Sequence, residues 1–110
     1  MSGWFELKKS KDGQFQFVLK AGNSETILTS ELYKAKRSAT AGIASVQTNS
    51  SNDKRYVRKV SANGKPFFTL RAGNHQVIGT SELYSSESAR ENGIASVKAN
   101  GSSKTVKDNT

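Results

Sequence analysis

His75 is the sole histidine of the chain, and there is no cysteine. A metal site needs several His, Cys or carboxylate ligands at close spacing, and no such cluster is present. A hydrolytic triad needs a nucleophile, a base and an orienting acid in one place. His75 with a serine and one of Asp12, Asp53 or Asp108 supplies the residue types, yet no serine stands in a Gly-x-Ser-x-Gly elbow. Beside Gly73-Asn74, His75 reads as a solvated turn residue. Glu31 and Glu82 form the other candidate pair, since two carboxylates across one cleft make a glycosidase. They lie in matching Ser-Glu-Leu-Tyr segments of two separate copies, where local hydrogen bonds at a strand-to-helix junction are the simpler reading. Phosphate-cradling glycine loops are absent. No catalytic, cofactor-binding or metal-binding residue is assigned, and no cofactor is expected; a small-substrate enzyme using His75 is the weakest of three functional readings.

The remaining chemistry is that of binding. In Phe15-Gln16-Phe17-Val18-Leu19-Lys20-Ala21 the odd positions are apolar, and Phe68, Leu70 and Ala72 repeat the pattern. Period two marks strands buried on one face. If helices cover that face, the other collects Trp4, Glu6, Lys8, Gln16, Val18, Lys20, Thr26, Leu28, Phe67, Thr69, Arg71 and Val77. Rings interleaved with cations are what single-stranded nucleic-acid binders use: rings stack on bases and cations meet phosphates. Trp4, Lys8, Lys20, Phe67 and Arg71 are the candidate contact residues. An open sheet also displays scattered apolar groups without any ligand, and no RNP-like motif is present.

The elements that position these residues come in two copies, 51 residues apart. Thr29-Ser30-Glu31-Leu32-Tyr33 returns as Thr80-Ser81-Glu82-Leu83-Tyr84, and Gly42-Ile43-Ala44-Ser45-Val46 as Gly93-Ile94-Ala95-Ser96-Val97. Between 13–49 and 64–100, 18 of 37 positions are identical without a gap, so both copies should share one local fold. Trp4–Lys8 and Arg55–Lys59 read as opening strands. Asp12-Gly13 and Asn63-Gly64 are hairpin turns. Gly22-Asn23 and Gly73-Asn74 supply a second reversal through residues that tolerate positive φ. Third strands follow at 25–29 and 76–80. Ala39, Ile43 and Val46 then recur at helical spacing, predicting helices over 35–48 and 86–99. Gly42 and Gly93 cost these helices about 1 kcal/mol each relative to Ala, which implies close approach to the sheet. In register, 103–108 falls on 52–57, so the tail reads as a closing strand exchanged between the halves.

The chain has 110 residues and net charge +8. The basic residues are spread over both copies rather than gathered into an arm. Such a balance attracts polyanions over a Debye length whether or not a specific site exists, so it admits nucleic acid or another polyanion as a partner without naming one, and spread charge argues for it less than a clustered stripe does. The longest strongly apolar run, Phe17-Val18-Leu19, is far too short to cross a bilayer. No signal-peptide pattern opens the sequence, so no membrane association and a cytoplasmic location are expected.

Gly3-Trp4-Phe5-Glu6-Leu7, the paired Gly-Asn turns, Ser-Glu-Leu-Tyr and Gly-Ile-Ala-Ser-Val resemble the YegP-like family of small bacterial proteins in its tandem form, over nearly the whole chain. The resemblance implies a β(3)-α-β module used twice, with swapped closing strands, and brings no catalytic or ligand residues. It also implies a monomer that is a pseudo-dimer by internal duplication. The expected fold is α+β: two tandem β(3)-α-β repeats in a single antiparallel sheet with two helices on one face. One domain should span 1–110, with repeat 1 at 1–51 and repeat 2, including the closing strand, at 52–110. The expected inward set is Phe5, Phe17, Leu19, Ile27, Leu32, Ile43, Val46, Phe68, Leu70, Ile78, Leu83, Ile94 and Val97. The favoured function is a small non-enzymatic binding module; the second reading is a sequence-independent single-stranded nucleic-acid binder.

Overall fold

Each repeat opens with three strands because apolar and polar residues alternate until a turn intervenes. In the computed structural model, which describes residues 3–110, these are β1 (Trp4–Lys9), β2 (Phe15–Lys20) and β3 (Thr26–Thr29), followed by helix α1 (Lys36–Asn49). A single 3-10 turn at Asp53–Arg55 leads into β4 (Tyr56–Val60), β5 (Pro66–Arg71), β6 (Val77–Thr80), α2 (Glu87–Asn100) and β7 (Val106–Asp108). The seven strands form one sheet in the order β4-β5-β6-β3-β2-β1-β7. Neighbours are antiparallel except at one edge, where β7 runs parallel to β1 with Val106, Lys107 and Asp108 opposite Phe5, Glu6 and Leu7. The strand that closes the second repeat thus pairs with the strand that opens the first.

The two halves meet at β3 and β6, where Thr29 is opposite Thr80. These are equivalent residues of the repeats, so an approximate twofold axis passes between them. Both helices pack on the same face, and one continuous core joins residues of both repeats. Phe5 and Phe17 meet edge to face at 5.9 Å, and their counterparts Tyr56 and Phe68 do so at 5.7 Å. Burying each such ring contributes about 1.5–3 kcal/mol. A Cβ on Gly42 would lie 2.9 Å from Phe17 and 2.7 Å from the Tyr33 hydroxyl; one on Gly93 would lie 2.1 Å from the Tyr84 hydroxyl. Close approach therefore explains both helix glycines.

Three local expectations are corrected. Leu32 and Leu83 do not enter the core; they are 50% and 52% exposed. Tyr33 pairs instead with Phe15 through two 2.7 Å backbone bonds and lies inward, stacked on Phe17 at 6.4 Å; Tyr84 stacks on Phe68 at 6.3 Å. Alternation then turns the preceding leucine out. Leu28 does not face solvent from the open side; it is fully buried in the helix-side core. The cause is a β-bulge: Leu19 opposes Leu28 but Lys20 opposes Thr26, so Ile27 is the extra residue and both it and Leu28 turn inward. In the second turns the residues with positive φ are Ser24 (72°) and His75 (70°), one place after the asparagines. The first hairpins do use Gly13 (85°) and Gly64 (83°).

The helix boundaries follow from their caps. Ser86 accepts a 3.0 Å bond from the Ala89 N–H at the start of α2, whereas Ala35 gives α1 no side-chain cap. Asn49 and Asn100 turn back on the last helical turn, each donating through Nδ2 to the carbonyl four residues earlier at 2.8 Å. Arg90 replaces the buried Ala39 of the first repeat; its stem is buried and its Nη1 donates to the Lys59 carbonyl at 3.3 Å, the snorkelling of a long cationic chain.

Candidate binding face

The uncovered face of the sheet is built around one transverse row. Strand register places Val57, Thr69, Thr80, Thr29, Val18, Glu6 and Lys107 side by side from one edge to the other. Its centre is sunken, since Val18 and Thr69 are each only 5% exposed. Cations rise around it: Lys8, Lys20, Lys59, Arg71 and Lys107. None of these five makes an ion pair among the described residues. Glu6 is the one carboxylate of the row. Three acids elsewhere are engaged in ion pairs: Asp53 holds Lys98 and Arg58, Glu91 holds Arg58 and Arg90, and Asp108 holds Lys36. Lys98 and Arg58 keep the Asp53 carboxyl below its usual range, and Arg58 does the same for Glu91.

Trp4, Lys8, Lys20, Phe67 and Arg71 all project from this face, but only Trp4 and Lys20 are direct cross-strand neighbours. Trp4 on β1 and Phe67 on β5 are four strands apart, about 19 Å at ~4.8 Å per strand. Phe67 and Arg71 flank Thr69 along β5. The Trp4 indole is already engaged: Nε1 donates to Glu6 Oε2 at 2.9 Å, and Lys107 Nζ lies 4.2 Å from the ring centre, a cation–π contact. Thr69 Oγ1 and Arg71 Nε are buried without a hydrogen-bond partner among the described residues. Lys107 and Lys59 were outside the sequence-derived set. Strand pairing puts them on this face; the exchange of closing strands expected from the 51-residue register brings β7, and Lys107 with it, beside β1.

The catalytic candidates remain apart. His75 is exposed in its turn, and no group of three His, Asp or Glu residues among the described ones could hold a metal ion. In Ser-Glu-Leu-Tyr the serine does the structural work. Ser30 Oγ accepts from the Phe17 N–H at 2.9 Å and donates to the Glu31 carbonyl at 2.8 Å; Ser81 repeats this with Phe68 and Glu82. The Glu31 and Glu82 carboxylates themselves are exposed. Burial pushes the Tyr33 and Tyr84 phenols above their ordinary value, with Glu31 and Glu82 adding to it. A shallow cleft of about 250 Å³ between the β2–β3 turn and α2 is lined by Asn23, Glu25, Tyr84, Asn92 and Ser96; it has one carboxylate and no acid–base pair.

The duplicated module also appears in comparisons with known proteins. The profile of a family described as a domain of unknown function (DUF1508) matches twice, at residues 10–56 and 61–108. The UPF0339 protein YegP of Escherichia coli K12 is 64% identical over all 110 residues of both chains. The chain belongs to the YegP (UPF0339) family. A UPF0339 protein of Acinetobacter baylyi is 66% identical, covering 100% of this chain and 99% of its own. The solution NMR structure of Escherichia coli yegP superposes with a TM-score of 0.95, covering 100% of this chain and 95% of that one. That of a Shewanella oneidensis UPF0339 protein, 61% identical, gives 0.93 over 98% and 92%. The YegP family fold is therefore this fold, with two repeats of the domain. The Escherichia coli structure is described as that of a protein of unknown function, so the family settles the architecture and assigns no activity. No helix among the described residues is long and apolar enough to cross a membrane.

Proposed function

We propose that the chain is a monomeric, non-enzymatic binding module whose open sheet face receives an extended polyanion, single-stranded nucleic acid being the polyanion that interleaved rings and cations suit. The observation that carries this reading is the charge on that face: among the described residues, Lys8, Lys20, Lys59 and Arg71 make no ion pair, nor does Lys107 in the row they surround, and the row holds one carboxylate. Cations outside ion pairs leave their field free to act on an incoming anion, Lys107 from its place over the Trp4 ring. Trp4 and Phe67 add two rings, and Thr69 Oγ1 and Arg71 Nε have no hydrogen-bond partner among the described residues. The spacing of the rings favours a strand lying across the sheet over two adjacent stacked bases.

A fluorescently labelled single-stranded oligonucleotide titrated at two salt concentrations tests this. If all five cations meet phosphates, the slope of log affinity against log salt is about −3.5, from ~0.7 per phosphate on single strands. Lys20→Glu and Arg71→Glu should each weaken binding and flatten the slope. No binding at about 50 mM salt, well inside the electrostatic regime, removes the nucleic-acid reading.

A further inference from the structure

The cleft of about 250 Å³ lies on the helix side of the sheet, where the β2–β3 turn of the first repeat meets Tyr84 and α2 of the second. The duplication gives it an equivalent place, between the β5–β6 turn, Tyr33 and α1; α2 packs against β3 there as α1 packs against β6. Of the nine lining residues, six keep their type at the equivalent place and three do not. Glu25 stands where the second repeat has Gln76, Asn92 where the first has Ala41, and Ala89 where the first has Ser38. The two places therefore share a shape and differ in charge.

The polar groups around Glu25 are not used up by the fold. Its carboxylate makes no ion pair among the described residues, although the chain has 17 Lys and Arg. None of the described cations lines the cleft. The Tyr84 hydroxyl lies against α2 because Gly93 has no side chain; a Cβ there would be 2.1 Å from it. The buried Tyr56 hydroxyl donates to the Ser50 carbonyl, whereas the Tyr84 hydroxyl has no hydrogen-bond partner among the described residues. Burial, then Glu82 and then Glu25 push its phenol above the ordinary value, so the field of Glu25 reaches that oxygen. Ala21 and Ile27, both buried, form an apolar floor.

We propose that the Glu25 cleft binds a primary ammonium group carried on a short aliphatic chain, the chemistry shared by a lysine side chain and a free alkylamine. An ammonium brings three donors and no acceptor. The Glu25 carboxylate, the Tyr84 oxygen and the Asn92 amide oxygen are acceptors on the cleft wall, and no cation of the chain competes for them. An anion would meet Glu25 with nothing to balance it. The volume suits a chain of butyl size, being below the ~300–1,000 Å³ of sites that hold larger ligands. The equivalent place, with Gln76 and Ala41, lacks the charge and one acceptor and serves as a control within the same molecule. This site is on the opposite side of the sheet from the open face and does not depend on a polyanion binding there.

The probe is n-butylammonium, titrated into the full ¹⁵N-labelled chain at low salt. It should give saturable shifts at the Glu25 and Gly93 amides and none of comparable size at Gln76 and Gly42. 1-Butanol, with the same chain and no charge, should bind more weakly. Glu25→Gln installs the residue that the second repeat already carries at that place, so the fold is kept; it should weaken butylammonium about two- to fivefold, the range of a part-exposed ion pair. Gln76→Glu/Ala41→Asn should create a second set of saturable shifts, at Gly42. Tighter binding of Nα-acetyl-lysine N-methylamide than of butylammonium would make a protein side chain the source of the amine; equal or weaker binding would make it a free amine. Equal binding of butanol, equal shifts at both places in the unaltered chain, unchanged affinity in Glu25→Gln, no second site in the double variant, or no saturable shift at tens of millimolar amine would each overturn the proposal.

Discussion

Leu28 and Gly79 occupy equivalent positions in the two repeats and face each other across the approximate twofold axis. A Cβ on Gly79 would come within 2.6 Å of Leu28 Cγ and Cδ2. The same arrangement recurs at the ends of the helices, where a Cβ on Gly101 would lie 2.4 Å from the Cβ of its counterpart, the fully buried Ser50. Where equivalent residues meet near the axis, one side chain fills the space and its equivalent must be absent.

Leu28→Ala should cost about 2–5 kcal/mol by opening a cavity, and Gly79→Leu about 1–3 kcal/mol or more by overpacking. The exchanged pair Leu28→Gly/Gly79→Leu should recover most of the combined loss, because the leucine then fills the space from the other strand. Urea unfolding of Leu28→Gly, Gly79→Leu and the double tests this; strictly additive losses would show that the two sites are not coupled in this way.

Gly93→Ala should destabilise despite the ~1 kcal/mol gain in helix propensity, because its Cβ would sit 2.1 Å from the Tyr84 hydroxyl. Gly42→Ala should cost less, as its nearest contact is 2.7 Å. Thermal midpoints of the two variants, measured side by side, check the order.

Tyr56 is buried and donates its hydroxyl to the Ser50 carbonyl at 2.6 Å. Burial pushes its phenol far above the ordinary value near 10, with Asp53 adding to the shift. The unfolded chain ionises first, so the folded state binds more protons above about pH 10. Stability should hold up to about that pH and fall beyond it, more steeply than in Tyr56→Phe. Denaturant midpoints between about pH 8 and 11 would show the difference, and parallel curves would contradict it.

Lys36, with a further hydrogen bond from Thr110, holds the Asp108 carboxyl well below its ordinary value. Its contribution is present above the unfolded value near 4 and is lost as pH falls through the folded one. Amide exchange in β7 should therefore speed up relative to β2 in strong acid or high salt, and in Lys36→Glu at neutral pH. Uniform exchange across the sheet under those conditions would mean the pair does not anchor β7.

Most of the fold could be read from the chain because the repeat reports each signal twice. Alternation in 15–21 and 67–72, the Asp-Gly and Asn-Gly turns and the spacing of Ala39, Ile43 and Val46 all depend on local chemistry. The failures came where local pattern meets a distant strand. Leu28 looks outward by strict alternation, and only the pairing with Leu19 and Lys20 exposes the bulge. Leu32 looks more apolar than Tyr33, yet the bridge to Phe15 decides which of them points in. The open face was half visible: Trp4, Lys8, Lys20, Phe67 and Arg71 follow from period two, but Lys107 joins Trp4 because β7 crosses to the far edge. The isolation of the Trp4 and Phe67 rings depends on strand order, which alternation does not encode.

Two copies of the first half alone would press leucine on leucine at position 28 and serine on serine at position 50. Two copies of the second would leave glycines opposite each other with nothing between them. Once joined, the halves have become lock and key: each is shaped for its sibling and unsuited to a twin of itself.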